Sequence, residues 1–159
     1  METKPPTGAG SRVELAALFS DLVRLETELW DLVDDRLRSD HDLPLSWFEP
    51  MQVMDRVTDC RVADIAEALS ITVGGTSKLV DRLEMAGLCT RRPNPDDARS
   101  SLLALTPDGR RRLDAARASF EGELEAWLGA SLPRERLDSL ASNLRDVRRH
   151  IGARQGRAR

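Results

Sequence analysis

Residues 62–106 constrain this chain more than any other stretch. They read VADIAEALSITVGGTSKLVDRLEMAGLCTRRPNPDDARSSLLALT. Apolar positions Ile65, Ala66 and Leu69 give Val62–Leu69 one buried face, as a short amphipathic helix requires. Ser70, Ile71 and Thr72 make a turn, with Ile71 expected to plug the core. A second helix is expected from Val73 to Ala86, with Val73, Leu79, Val80 and Leu83 inward. Gly75, Thr76, Lys78 and Arg82 are left for its outward face. Gly87 then ends that helix in the position where a left-handed residue closes the last turn. Leu88–Arg92 and Ser101–Leu105 read as two strands around a tip of Pro93, Asn94, Pro95, Asp96 and Asp97. Thr106-Pro107 is an N-cap followed by proline in the first helical position, a strong helix start. The order is a helix-turn-helix with a β-wing, a shape that grips duplex DNA.

The flanks are helical. From Ser11 a helix should run to about Ser39, with leucines at 15, 18, 22, 25, 29 and 32. That alternation of threes and fours is a heptad seam. After a break at Asp40–Pro44, Ser46 and Glu49 form a capping-box pattern that opens a second helix. Trp47, Met51, Met54 and Val57 supply its apolar side, and Pro50 falls in or just past its first turn. Thr58–Arg61 is a short connection or a one-bridge strand. The helix from Thr106 should reach Ala130, with Leu113, Ala116, Phe120, Leu124 and Trp127 on one face. Pro133 starts the last helix, whose apolar residues Leu137, Leu140, Leu144, Val147 and Ile151 again alternate 3 and 4. The reading is a mainly α chain (α+β, with a small β-wing). A winged helix-turn-helix lobe spans 46–106, and helical dimerisation regions span 11–45 and 107–152. Residues 1–10 are a disordered lead-in and 153–159 a basic tail. Seams at both ends are most economically explained by a second copy, the alternative being an intramolecular bundle.

Charge supports the same division. The 159-residue chain has a net charge of -3. Between residues 1 and 72 the acids outnumber the bases roughly two to one. From Thr72 to Arg112 the balance reverses, which suits an acidic body carrying a basic reading surface. Lysine occurs only as Lys4 and Lys78, so arginine dominates. Arginine contacts guanine bidentately or enters a narrow minor groove. No apolar run is long enough to cross a bilayer, and METKPPTGAG lacks a secretory pattern. The expected location is the cytoplasm. Cys60 and Cys89 form no C-x-x-C and read as buried thiols, with a redox or metal role as the alternative.

Four blocks in register resemble the MarR family of transcriptional regulators. They are Val80-Asp81-Arg82-Leu83-Glu84, Gly87-Leu88-Cys89-Thr90-Arg91, Asn94-Pro95-Asp96-Asp97-Ala98-Arg99, and Leu105-Thr106-Pro107-Asp108-Gly109. The resemblance implies a triangular homodimer with terminal helices at its interface and a winged lobe at each lower corner. It implies binding to a pseudo-palindromic double-stranded operator, commonly as a repressor. It also implies release by a small, often aromatic, effector. The family's redox pattern is missing, because residues 11–39 contain no cysteine.

The DNA-contacting set expected from these arguments is Thr72, Gly74, Gly75, Thr76, Ser77, Lys78, Arg82, Arg91, Arg92, Asp97, Arg99 and Ser100. Gly74 and Gly75 depart from the family pattern. They cost a helix about 1 kcal/mol each, against either a close backbone approach to DNA or a frayed helix start. Arg82 reads as a phosphate contact or as an ion pair with Glu84 or Asp81. Arg91 and Arg92 read as phosphate anchors or wing-strand ion pairs. By the resemblance, Asp97 braces Arg99 while Arg99 enters the minor groove. Ala98 replaces the family's usual arginine. A small aromatic or anionic effector would be received by Trp30, His41, Trp47, Phe48 and Met51, unless these are core aromatics and a loop histidine. No Ser/His/acid set, metal-ligand spacing or phosphate loop is present: GGTSK lacks the G-K-[ST] order. The chain is therefore not read as an enzyme, and no cofactor is expected. A winged-helix module that binds protein instead of DNA is the other function class.

Overall fold

A computed structural model describes residues 14–156 apart from Ala98. The expected lead-in, residues 11–13 and the end of the basic tail lie outside the described residues, as does Ala98. Six helices and a two-stranded sheet follow one another as α1 (Leu15–His41), α2 (Leu45–Arg56), α3 (Val62–Leu69), α4 (Val73–Met85), β1 (Cys89–Pro93), β2 (Ser101–Leu105), α5 (Pro107–Leu124) and α6 (Arg134–Gly156). The strands pair antiparallel, with Cys89 opposite Leu105 and Pro93 opposite Ser101. Fold class and element order agree with the sequence reading. Most element edges differ by a residue or two; the larger exception is α5, whose regular helix stops at Leu124 instead of the expected Ala130.

α1 runs two residues past its expected end. Asp42, in the left-handed region at φ 49°, closes it by donating its N–H to Arg38 and Leu37 carbonyls. α2 does not use the expected Ser46/Glu49 capping box. Pro44 is its N-cap, with no side-chain cap, and the Leu45 amide donates instead to Asp34 Oδ1 of α1 at 2.6 Å. A carboxylate from a neighbouring helix has taken over a job that local sequence usually does. Val57, expected on the α2 face, lies beyond the helix end and is exposed.

The core forms where α1's second half, α2 and α5 meet the wing and α4. Phe48, Met51, Leu37, Leu43, Ile65, Val80, Leu83 and Leu113 are wholly buried there. Phe48 and Phe120 lie ring to ring, 4.8 Å apart. α1 packs along α5. Its apolar stripe is buried at Val33 and Leu37 but exposed at Leu15, Leu18, Phe19, Leu22 and Leu25. α5 loses regularity at a π-helical turn, Glu125–Gly129. There the Glu125 carboxylate folds over Gly129, where any Cβ would collide with it. Trp127, expected to continue the inward face of α5, is 46% exposed on this turn. The extra residue of a π turn rotates the downstream side chains off the helical stripe.

Candidate nucleic-acid interface

The helix-turn-helix is built from local signals. Arg61 starts α3 with its N–H donating to Asp64 Oδ2 at 2.7 Å, and Ser70 ends it in the left-handed region at φ 56°. Thr72 caps α4 by accepting the Gly75 N–H at 3.2 Å. At the other end Gly87, with φ +73°, lets its own N–H reach Glu84 and the Leu88 N–H reach Leu83. A residue without a Cβ takes that conformation at the least cost.

The faces of α4 are partly reassigned. Thr76, expected outward and among the DNA contacts, is fully buried. It shares a stripe with Val80 and Leu83, and its hydroxyl is satisfied inside the helix by donating to the Thr72 carbonyl at 2.9 Å. That internal bond makes burying a threonine affordable. Val73 and Ile71, both expected inward, are exposed at 58% and 43%. They sit at the turn, beyond the edge of the core. Outward on α4 stand Gly74, Gly75, Lys78 and Arg82, with Ser77 half-buried. A Cβ on Gly74 would meet nothing, whereas one on Gly75 would come within 3.1 Å of the Thr72 hydroxyl that caps the helix.

The arginines divide into two groups. Arg91 Nη1 lies 2.6 Å from Asp81 and 2.9 Å from Glu84, and its backbone N–H also reaches Glu84 at 3.1 Å. It therefore fastens β1 to α4 as an ion pair. The acids thought able to neutralise Arg82 are engaged elsewhere. Arg92 pairs with Asp59 at 3.0 Å, both side chains well exposed. Lys78, Arg82 and Arg99 take part in no ion pair among the described residues.

Asn94 organises the wing tip, a role the sequence reading missed. It is buried, its Nδ2 donates to Ser100 Oγ at 2.8 Å, and its Oδ1 accepts the Asp96 N–H at 3.0 Å. The Asn-Pro-Asp order was the available signal, since asparagine side chains close such turns. Asp97 braces Arg99 through the backbone: Oδ1 accepts the Arg99 N–H at 3.0 Å. Ser100, expected at the interface, donates its hydroxyl proton to the Asp97 carbonyl at 3.2 Å. These bonds hold the loop while the Arg99 side chain remains exposed.

Of the residues expected to receive an effector, two lie wholly in the core and the others at its margin or on the helix surface. Phe48 and Met51 are core residues with no exposed surface, and Trp47 packs against the core cluster. Trp30 is 37% exposed on α1. His41 Nε2 lies 2.8 Å from Ser119 Oγ, whose proton is directed to Asp40. Aromatic residues near a helix corner were needed to fill the core. A cleft of about 1390 Å³ lies between the Ser70–Val73 turn and Arg148, Ile151 and Gly152 of α6.

Both thiols are buried, and burial pushes each up to about 11. Such thiols stay protonated and poorly nucleophilic. Among the described residues no group of three or more His, Cys, Asp or Glu could hold a metal ion. No helix among them is long and apolar enough to cross a membrane.

Known proteins share this geometry. The MarR family model matches residues 55–101. The multiple antibiotic resistance protein MarR of Salmonella typhimurium is 41% identical over 46 residues, 29% of this chain and 32% of that protein. MarR of Salmonella typhi matches to the same extent. The match thus spans about a third of these relatives' length. Among solved structures, a MarR family transcriptional regulator from Streptomyces coelicolor in complex with DNA superposes with a TM-score of 0.80 at 22% identity, over 88% of this chain and 92% of that one. A mutant MarR from E. coli complexed with operator DNA gives 0.77 at 22% identity, over 84% and 94%. The transcriptional repressor CouR, bound to a 23-mer DNA duplex, gives 0.73 at 26% identity, over 86% and 99%.

Proposed function

We propose that the protein is a transcriptional regulator of the MarR family, whose model its winged-helix segment matches over residues 55–101, and that it binds double-stranded DNA as a homodimer. The observation that carries the reading is the sorting of its cations. Arg91 and Arg92 are consumed by acids. Lys78, Arg82 and Arg99 remain exposed and unpaired among the described residues, on the reading helix and the wing. The N-terminal turn of α4 enters the major groove with Gly74, Gly75, Ser77 and Lys78 leading, Thr72 shaping the turn and Arg82 on the flanking phosphate. Arg99 enters the adjacent minor groove, where shape and A·T content are read.

The division of labour follows from the exposed seams. Residues 46–106 are the DNA-binding lobe, and 11–45 with 107–152 the dimerisation region. Two lobes related by a two-fold axis call for a pseudo-palindromic operator with half-site centres about 10 bp apart or a multiple of that. We attach repression to this binding, as for CouR, and place the activity in the cytoplasm. An effector is left out of the proposal, because Phe48 and Met51 are taken up by the core.

Selection of bound fragments from genomic DNA, followed by gel-shift titration of purified protein, tests the reading. The expected result is a two-fold symmetric site. Neutralising Lys78 should lower the slope of log affinity against log salt by about 2 per dimer. Failure to retard any fragment at low salt would favour a protein-binding winged helix instead.

A further inference from the structure

The charge of α6 is gathered at one end. Residues 134–143 balance Arg134 and Arg136 against Glu135 and Asp138. Residues 144–159 hold six arginines and one acid, Asp146. That acid is taken by Arg149. Arg145, Arg148 and Arg154 are exposed and join no ion pair among the described residues. Arg157 and Arg159 lie outside the described residues. By helical spacing Arg145, Arg148 and Arg149 share a stripe, about a third of a turn round from the apolar seam of Leu140, Leu144, Val147 and Ile151. A helix covering that seam borders Arg148 and leaves Arg145 and Arg149 uncovered. Gly152 prolongs the stripe. A Cβ there would meet nothing in the chain, so the missing side chain leaves room for a close approach from outside.

This basic end lies beside the reading helix. Arg148, Ile151 and Gly152 form one wall of the cleft whose other wall is the Ser70–Val73 turn, where α4 begins, with Glu67 of α3. Glu67 is exposed and forms no ion pair with Arg148 among the described residues. The wing meets α4 elsewhere, since Arg91 ties β1 to Asp81 and Glu84 in its C-terminal half. The wing and α6 thus adjoin the reading helix at opposite ends. Near its N-terminal end the lobe itself offers little positive charge. Arg61 is paired with Asp64, and no further base occurs before Lys78. The cations at that end come from α6.

Exposed, unpaired guanidinium groups on one helix face are matched to phosphate, which they can grip bidentately. We infer that the basic end of α6, Arg145 and Arg148 foremost, is a third DNA-contacting element, which holds phosphates of the duplex at the end of the reading helix away from the wing. This rests on the DNA-binding reading above and adds an element from outside the winged lobe. Phosphate contacts position a protein without reading sequence. The end of α6 therefore strengthens binding to the operator and to any other duplex by the same factor, and leaves the choice of site to α4 and Arg99. Each contact also releases counterions, which makes affinity steeper in salt.

Fluorescence anisotropy titrations of the full chain over a range of salt concentrations test this. Arg145→Gln with Arg148→Gln should lower the slope of log affinity against log salt by about 3–4 per dimer. At ~100 mM NaCl affinity should fall roughly tenfold or more, equally on a selected site and on an unrelated duplex. The control, Arg134→Gln with Arg136→Gln, removes the same charge at the other end of α6 and should change the slope by less than about 1. A double variant with the wild-type slope overturns the inference. So does a control that loses as much, because net charge then accounts for the effect. Loss confined to the selected site overturns the phosphate assignment. Light scattering follows assembly: a double variant that binds weakly because it is monomeric puts these arginines in the dimer contact and also overturns the inference. Should the double variant fail to fold, Arg145→Gln alone, away from the seam, decides, with a slope lower by about 2 expected and an unchanged slope refuting the inference. A wild-type chain that binds no duplex at low salt refutes the DNA-binding reading itself.

Discussion

The hydroxyl of Thr106 donates to the Gly87 carbonyl at 2.6 Å and accepts the Gly109 N–H at 3.0 Å. One side chain thus caps α5 and ties it to the turn that ends the reading helix. The Thr106 N–H reinforces the tie by donating to Leu88 O at 3.1 Å. Gly109 is required by the same contact, since a Cβ there would fall 1.9 Å from the Leu88 carbonyl oxygen. Backbone cannot yield as a flexible side chain does. Gly109→Ala should therefore destabilise the fold by about 2–4 kcal/mol, and Thr106→Val by about 1–2 kcal/mol. Urea unfolding followed by circular dichroism measures both; a Gly109→Ala chain as stable as wild type would contradict the close approach.

Arg91 neutralises Asp81 and Glu84 beside the reading helix. Arg91→Met should leave two uncompensated carboxylates near Arg82 and weaken DNA binding roughly tenfold at low salt. Adding Asp81→Asn and Glu84→Gln should recover most of that loss. If the triple variant binds as poorly as Arg91→Met in fluorescence anisotropy titrations, Arg91 touches DNA directly.

Arg99 stands on a loop already held by Asn94, Asp97 and Ser100. Its replacement by alanine should spare the fold while costing about 1–3 kcal/mol of binding, mostly at sites with A·T-rich flanks. Equal loss on all sequences would point to a plain phosphate contact. Asp97→Ala should lower affinity too, but by loosening the loop, and so should also raise amide hydrogen exchange at Arg99.

Thr76 belongs to the core of the lobe. Thr76→Val keeps its shape and should leave DNA affinity within about twofold, at a stability cost of about 1 kcal/mol or less for the lost internal bond. Selective loss of operator binding in a fully folded Thr76→Val chain would return the residue to the interface.

Burial raises the Cys60 and Cys89 thiols from 9.0 to about 11. In the unfolded chain they ionise near their ordinary value while the folded chain keeps them neutral. Unfolding therefore releases protons between about pH 9 and 11, and stability falls as pH rises through that window. Melting temperatures from pH 8 to 11 should show the decline, and Cys60→Ala with Cys89→Ala should blunt it. At pH 8 the native chain should resist maleimide labelling that proceeds once it is unfolded.

Element order, the glycine and threonine caps and the wing all derive from short-range chemistry, because each depends on residues within one or two turns. Gly87 needs only its own helix to act as a left-handed stop, and Thr72 needs only Gly75. The heptad seams are legible for the same reason. What tertiary structure alone decides is partnership between distant residues. Asp34 displaces Ser46 as the cap of α2. Arg91 takes the acids that local spacing offered to Arg82. Phe48 and Met51 go to the core because α5 brings Phe120 against Phe48. Thr76 is inside and Val73 outside because the core ends at the turn, a boundary set by neighbouring helices and invisible in the 3.6-residue period. Sequence periodicity states which residues share a face; the packing around that face determines how far along the helix it is covered.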